Sequence, residues 1–481
     1  MSDTHSLLTR AEELLRQRRP ADALELLAAE VDDLAEVGPE HALQLQILLF
    51  LNRRGDAEAT FRGMLERPAS TPQAVDFLAF YARRLDMHEL SRTLYRRCAL
   101  LDPENPQRAY NVATSERSLG NIDAAIAACD AALRLSPAML PALLLRSELG
   151  SATQAHNHVE ELHRRAAGDP TDAGRMFAAY ALGKELHELK RYDEAFSAFS
   201  RGAAIRRRNL SYDVAQDEGK LRRIAEAFGG GWKPGNASSA DRPIFIVGLP
   251  RSGTTLTERI LSALDGVRSN GETDNFASAL LACADGPGDI FDRCAQADPG
   301  RVAAEYMRRA SPDAFPGHVL EKMPLNYLYV GAIAAAFPEA SIVWVRRNPV
   351  DSCFAMFRTL FGDAYPFSYS FEDLARYYAA YDRLMGHWQA SLSGRLIEVH
   401  YEQLVADPSA GGADLARRCG LDWNEAALDL PSNRTASLTA SASQIRNPIY
   451  STSSGLWTRY RQHLQPLVDL LNEQGVKWRE P

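Results

Sequence analysis

Prolines mark out a period in the first half of this chain. Asp102-Pro103, Ser136-Pro137 and Asp169-Pro170 each close a stretch of helical pattern. The interval from Pro103 to Pro137 recurs, to within one position, from Pro137 to Pro170. A second landmark keeps the same interval, since Asp22-Ala23 returns as Asp56-Ala57. Small residues fall where two helices would touch. In the stretch from Tyr110, Leu119-Gly120-Asn121 is expected to make the turn, and Ala124, Ala125 and Ala128 to line the second helix. The last unit opens at Phe177. Units of this size stack to bury one continuous stripe and leave a concave groove.

The period and the helix-turn-helix unit resemble the tetratricopeptide repeat family, over about residues 6 to 212 and most clearly near 107 and 175. The resemblance implies a groove that holds a peptide or protein. A plain scaffold or dimerisation surface is the other reading of the same pattern.

At 481 residues the chain has room for two or three domains. Its 54 Lys plus Arg stand against 62 Asp plus Glu, a net charge of -8, which argues against a protein that coats nucleic acid. No uncharged apolar run reaches the roughly 18 residues of a membrane helix, and the N-terminus lacks a secretory pattern. The six cysteines are scattered without a CxxC pair, so neither zinc ligation nor a disulfide framework is expected. These features predict a cytoplasmic protein without a membrane span. From Gly229 the composition turns to Gly, Ser and Pro, which predicts a repeat solenoid over 1–228, a linker over 229–241 and a second domain over 242–481.

That domain opens on Pro243-Ile244-Phe245-Ile246-Val247, an apolar run typical of a buried parallel strand. It leads into Gly248-Leu249-Pro250-Arg251-Ser252-Gly253-Thr254-Thr255 and then into a helical pattern. Strand, glycine-bracketed loop and helix make a phosphate-binding loop, in which backbone N–H groups and the helix N-terminus face an anion. The residue after the second glycine is Thr254, where triphosphate-using enzymes carry a lysine, and the cation of this loop is Arg251. That suits one terminal phosphate bearing a group to be transferred, with no metal required.

With this loop the chain resembles the sulfotransferases that use 3'-phosphoadenosine 5'-phosphosulfate (PAPS), over about residues 242 to 475, and is most similar to the tyrosylprotein and tetratricopeptide-containing members. The resemblance implies that Arg251, Ser252, Gly253, Thr254 and Thr255 bind the 5'-phosphosulfate. A second strand ending in Arg346-Arg347-Asn348-Pro349 matches the segment whose arginine, with a serine two helical turns on, holds the 3'-phosphate. Arg347 fits the arginine, but Ala355 stands at the serine's place, and Ser352, one helical turn earlier, is the substitute. Solvated arginines at a strand end are the alternative. After a third strand, Leu396–His400, the segment Tyr401-Glu402-Gln403-Leu404 resembles one that places a tyrosine at the adenosine end. Tyr401 takes that role by resemblance, or is a core tyrosine. Ser441 aligns with a serine that contacts the cofactor in a C-terminal loop, and Leu456 replaces the family's lysine there.

Sulfuryl transfer to a hydroxyl needs a base, positive charge on the leaving phosphate and an in-line arrangement. Glu272 lies in Ser269-Asn270-Gly271-Glu272-Thr273. The stretch from Arg251 to Glu272 leaves room for a helix and a short strand back to the carboxyl end of the sheet. The tyrosylprotein enzymes carry their catalytic glutamate in a similar Gly-Glu, although a loop glutamate at the surface is the commoner fate. Lys322, before Met323-Pro324, resembles a lysine that stabilises the transition state. His318 and His400 lie near strands without the local motif of a histidine base and are read as structural.

The sequence therefore predicts an α-solenoid followed by an α/β domain with a mostly parallel sheet. It predicts PAPS-dependent O-sulfation of a hydroxyl, with a protein or peptide tyrosine as the acceptor if the repeat groove presents it. The alternatives are a P-loop phosphotransferase, with Asp351 as the nearest acid after the second strand, and a repeat scaffold with a degenerate nucleotide domain.

Overall fold

The computed structural model describes residues 2–51, 53–229, 242–392, 394–430, 449 and 453–480. Backbone contacts divide the chain into two compact units, Met1–Leu149 and Gly150–Pro481. The first is helical: α1 (Ser2–Arg16), α2 (Pro20–Glu30), α3 (Pro39–Phe50), α4 (Arg54–Leu65), α5 (Pro72–Arg84), α6 (His88–Leu101), α7 (Pro106–Leu119), α8 (Ile122–Leu135) and α9 (Leu140–Leu149). Neighbours pack in pairs, α1 on α2, α5 on α6 and α7 on α8.

The repeat is written in the backbone more regularly than in the side chains. At the end of α1, α3, α5 and α7 the same closing bond recurs, from an N–H back to a carbonyl in the last turn of the helix. The pairs are Arg19 to Leu14 (2.9 Å), Arg53 to Leu48 (2.8 Å), Met87 to Ala82 (2.8 Å) and Asn121 to Glu116 (2.9 Å). Their donors are evenly spaced, at the interval that separates Asp22-Ala23 from Asp56-Ala57. This is the helix-ending turn that satisfies orphan carbonyls by passing one residue through the left-handed region. That residue is Arg18 (φ 61°), Asp86 (φ 61°) and Gly120 (φ 82°) in three of the four. The next helix starts alike in two units, with Arg19 Nε donating to Asp22 at 2.5 Å and Arg53 Nε to Asp56 at 2.6 Å. Ala23 and Ala57, the alanines of the sequence landmark, are fully buried. In α8 the buried stripe is Ala125, Cys129, Ala132 and Leu133, so of the three alanines expected to line it only Ala125 is fully enclosed.

The second unit begins with α10 (Val159–Gly168), α11 (Asp172–Glu188), α12 (Tyr192–Arg208) and α13 (Val214–Ala227). The α11–α12 hairpin closes like the earlier ones, with Arg191 N–H on Leu186 at 2.9 Å and Lys190 left-handed at φ 60°. These helices share a core with the rest of the unit. Helix α13 packs on α20 (Phe371–Ser391), Tyr180 donates its hydroxyl to the Phe357 carbonyl at 3.2 Å, and Arg207 Nε meets Asp373 at 2.6 Å. The division by contact thus falls between α9 and α10, well before the Gly-rich break at residue 229.

The sheet follows, with β1 (Ile244–Gly248), β2 (Val267–Ser269), β3 (His318–Lys322), β4 (Ser341–Arg346) and β5 (Leu396–His400) in the order β2-β3-β1-β4-β5. Every pairing is parallel. Around it lie α14 (Thr254–Ser262), α15 (Asn275–Ala282), α16 (Ile290–Gln296), α17 (Pro299–Ala310), α18 (Val330–Ala336), α19 (Pro349–Phe357), α21 (Tyr401–Ala406), α22 (Pro408–Arg418) and α23 (Arg461–Glu473). A strand buried on both faces reads as a continuous apolar run, and β1 is enclosed along its whole length. Ile244 and Ile246 face a core with Ile260, Leu261, Val343 and Val399. Phe245 points the other way, onto Phe276 (5.6 Å between rings), Tyr306 (5.2 Å) and Phe337 (6.3 Å). The chain leaves β1 toward β2 and β3 but leaves β4 toward β5, so the crevice between the carboxyl ends of β1 and β4 is the switch point where such sheets bind ligands. Pro324–Tyr329 is a 3₁₀ turn that leads into α18.

All six cysteines are free thiols. No helix among the described residues is long and apolar enough to cross a membrane. Phe245→Ala should lower the unfolding free energy of the second unit by about 3–5 kcal/mol, because the aromatic layer cannot close over the lost ring. Urea denaturation checks this, and an unchanged midpoint would show that the layer is not cooperative with the sheet.

Candidate active site

The loop between β1 and α14 is shaped by two glycines. A Cβ on Gly248 (φ 154°) would lie 2.7 Å from the Val345 carbonyl oxygen, and one on Gly253 (φ 107°) would lie 2.4 Å from the Tyr401 ring. Only glycine lets β1 end so close to β4 and lets the Tyr401 ring lie against the loop. Between them Arg251 is left-handed at φ 67°, a costly backbone for a long side chain. Thr254 and Thr255 open α14 and are buried, and so is Ser252. The Ser252 hydroxyl finds no hydrogen-bond partner among the described residues. A buried polar group without a partner is expensive, so the start of α14 is built to receive an acceptor such as an anion oxygen.

Arg347 follows β4 and closes the other side of the crevice. Its Nη1 donates to the Arg251 carbonyl at 3.0 Å, its Nη2 to the Ser453 carbonyl, and its guanidinium lies 4.9 Å from the centre of the Tyr401 ring. Its buried Nε lacks a partner among the described residues. The Tyr401 hydroxyl meets Ser453 Oγ at 2.5 Å. Phosphate loop, Arg347, Tyr401 and Ser453 thus form one layer, which sequence reading assigned piecewise and without Ser453. Two buried donors without partners among the described residues, Ser252 Oγ and Arg347 Nε, fit an anionic ligand better than a neutral one.

Asp351 anchors the C-terminal segment to this layer. One oxygen accepts from Gly455 N–H at 2.7 Å, the other from Trp457 N–H at 2.9 Å, and Arg347 lies 4.0 Å away. Burial in the first place raises its carboxyl above the usual range, against the pull of Arg347 and the two N–H groups. Ser352 and Ala355 are both buried in α19 behind Arg347, while Leu456 is buried beside Trp457. Ser441 lies outside the described residues. His318 bonds the Arg242 carbonyl at 2.9 Å and His400 pairs with Glu398 at 3.2 Å, so each has a structural partner.

Glu272 and Lys322, remote in sequence, form an ion pair between Glu272 Oε1 and Lys322 Nζ. The pairing follows from the ladder. Asn270 N–H reaches the Leu320 carbonyl at 2.8 Å and Lys322 N–H the Gly271 carbonyl at 3.0 Å, which brings residue 272 level with the end of β3. Lys322 stands beside Ile246 of β1 and is fully buried, whereas the Glu272 side chain keeps 40% of its surface exposed. Glu258 of α14 approaches Lys322 at 3.6 Å and accepts from Ser269 Oγ at 2.7 Å. Behind the pair lies Glu321, which sequence reading passed over. It is fully buried and accepts from Asn326 Nδ2 at 2.8 Å and Thr273 Oγ1 at 3.0 Å. It therefore holds the residue next to Glu272.

A family model described as the sulfotransferase family matches residues 243–425, and one for the tetratricopeptide repeat matches residues 107–139. Residues 243–425 are a sulfotransferase-family domain. A protein of Aquifex aeolicus (strain VF5), described as uncharacterized, is 28% identical over 328 residues, which are 64% of this chain and 43% of that protein. The chain thus spans less than half the length of that relative. Similar solved structures include the sulfotransferase domain from the curacin biosynthetic pathway, at 14% identity and TM-score 0.36 over 50% of this chain and 99% of that one. A sulfotransferase from Alicyclobacillus acidocaldarius has 19% identity and TM-score 0.29 over 49% and 95% of the two chains. One from Mycobacterium tuberculosis H37Rv has 15% and 0.28 over 64% and 98%. Within the sulfotransferase-family domain lie the phosphate loop, Glu272, Lys322, Arg347 and Tyr401.

Burial lifts the Glu321 carboxyl to about 7, against its hydrogen bonds from Asn326 and Thr273. The unfolded chain gives up this proton near 4.5, so between pH 4.5 and 7 the folded state binds more protons and its stability falls as pH rises. Glu321→Gln should remove that slope. Its melting temperature relative to the native protein should climb from pH 5 to pH 8 by an amount worth on the order of 3 kcal/mol. A difference independent of pH would show that Glu321 does not titrate in this window.

Proposed function

We propose that the chain transfers a sulfuryl group from PAPS to a hydroxyl, with a protein or peptide tyrosine as the acceptor. The observation that carries the reading is the Glu272–Lys322 pair set beside a phosphate loop whose buried Ser252 hydroxyl has no partner among the described residues. PAPS supplies a sulfuryl group on a phosphate that leaves without a metal. Arg251, Ser252, Gly253, Thr254 and Thr255 would hold its 5' end, Arg347 and Ser352 its 3'-phosphate, and Tyr401 its adenosine end, with Ser441 as a further cofactor contact.

Glu272 is exposed enough to meet an acceptor and anchored enough to orient it. It takes the proton as the hydroxyl oxygen attacks, a step for which a positioned base contributes about 10²–10⁴-fold. Lys322, held in place by Glu272 and Glu258, presents its ammonium to the charge that grows on the departing phosphate, and Arg251 does so from the loop. Removal of the buried ammonium from water strengthens that interaction. The geometry favours sulfuryl over phosphoryl transfer for a specific reason. Asp351, the acid a magnesium-dependent phosphotransferase would draw on, engages both oxygens with Gly455 and Trp457.

The proposal keeps the organisation into a repeat region over 1–228, a linker over 229–241 and a catalytic region over 242–481, in a cytoplasmic protein whose repeats bind the acceptor polypeptide. Tetratricopeptide repeats are suited to that task by their groove.

Adenosine 3',5'-bisphosphate without magnesium should raise the melting temperature. Stabilisation by ATP with magnesium alone would favour the phosphotransferase, and no response to either the scaffold. Glu272→Gln should keep the bisphosphate response while transfer from radiolabelled PAPS to a tyrosine peptide falls at least ~100-fold. Lys322→Ala should lower kcat far more than it raises the KM for PAPS. Retained turnover in either variant would remove that residue from the mechanism.

A further inference from the structure

Tyr365 has a backbone that nothing in the nucleotide site requires. Its φ of 52° and ψ of 56° are left-handed, and the next residue is Pro366. An aromatic residue rarely adopts this conformation, and a residue before proline is driven toward the extended region by the proline ring. Such strain persists only where the surroundings impose it, and it concentrates at functional sites.

The loop that carries Tyr365 is tied to α12. Arg206 Nη2 donates to the Gly362 carbonyl at 2.8 Å and to Asp363 Oδ1 at 2.6 Å, and its guanidinium lies 5.9 Å from the centre of the Tyr369 ring. Tyr369 in turn accepts from Phe361 N–H at 2.9 Å, and Ser368 N–H bonds the Tyr365 carbonyl at 3.0 Å. A chain of rings leads from this loop back toward Lys322. Tyr365 lies edge-on to Phe361 at 4.9 Å and beside Phe367 at 6.0 Å. Phe367 stacks on Tyr377 at 3.6 Å, and the Tyr377 hydroxyl meets that of Tyr327, in the turn that follows Lys322. Burial first, and then the Glu272 carboxylate, push the Tyr365 phenol up to about 12, so it stays protonated at neutral pH and can donate. Phe361 and Tyr365 are half-buried.

We infer that Tyr365 contacts the acceptor, packing on an aromatic ring so that a phenolic hydroxyl points at Glu272, and that Arg206 is a positioning residue that holds the Tyr365 loop in its strained form. The inference rests on the proposed sulfuryl transfer to a phenolic hydroxyl and adds the residues that would recognise that ring. It also gives the α11–α12 hairpin a part in acceptor selection.

Steady-state kinetics with PAPS, 4-methylphenol and the non-aromatic cyclohexylmethanol test it. Tyr365→Ala and Arg206→Ala should each raise the KM for 4-methylphenol about tenfold, the size of one lost aromatic pair, and erase its advantage over cyclohexylmethanol. The KM for PAPS should hold, and Arg206→Lys should recover part of the loss. Parallel losses for PAPS and both alcohols would mark both residues as merely structural and overturn the inference, as would an unchanged KM. Binding of 4-methylphenol without PAPS, followed by saturation-transfer NMR, separates the two readings. Binding to the native protein that Tyr365→Ala abolishes supports the aromatic contact even where no transfer occurs and the sulfotransfer reading fails. No binding to the native protein overturns the contact, whatever adenosine 3',5'-bisphosphate does to the melting temperature.

Discussion

A fully buried ammonium cannot stand alone in a protein interior, and Lys322 sets that constraint for the whole C-terminal domain. Moving the charge out of water costs several kcal/mol, so carboxylates must come to it. Glu258 arrives on the first helix after the phosphate loop and Glu272 at the end of an edge strand. To bring them there, β2 must extend its ladder along β3 through Asn270 and Gly271, and Glu321 must hold Thr273 from behind. The carboxylate that neutralises the lysine is thereby fixed at the carboxyl end of the sheet, where the proposed base would act.

The other half of the site is held by contact of a different kind. Arg347 joins three segments at once, the phosphate loop, the Tyr401 turn and Ser453 near the C-terminus. Asp351 doubles the attachment through two backbone N–H groups. Cutting any one of these ties would loosen the layer, because each partner is itself fixed by the others. Such coupling holds donors in place before a ligand arrives, which is what electrostatic stabilisation of a transition state requires.

The two halves of the sequence were unequally legible. The period was visible where proline or glycine enforces a turn, as at Pro103, Pro137 and Gly120, but it faded before residue 75. There the closing turns pass through Arg18 or depend on main-chain bonds such as Arg53 to Leu48, and a backbone bond carries no residue signature. The parallel sheet was readable because β1 is an apolar run into a glycine-bracketed loop and β4 an apolar run that ends in Arg346. Glu272 and Lys322 could be named by resemblance, but not as a pair, since the register of β2 on β3 has no local mark. Tyr365 gave no signal, because strain is a property of φ and ψ. Ser453 was missed because its carbonyl receives Arg347 and its hydroxyl meets Tyr401, both partners far away in sequence.

From composition and spacing alone came the helical repeat, the glycine-bracketed loop after an apolar strand, and the cation within that loop able to meet an anion. These are local matters, governed by dihedral preference, periodicity and the chemistry of single side chains. Tertiary structure alone decided that Lys322 is enclosed, that Glu272 faces it, that Asp351 looks inward and that Arg206 of α12 bonds the loop before Tyr365. Each depends on segments far apart in the chain meeting in a low-dielectric interior, where the cost of an unpaired charge or a strained residue is settled by neighbours that no short stretch of sequence contains.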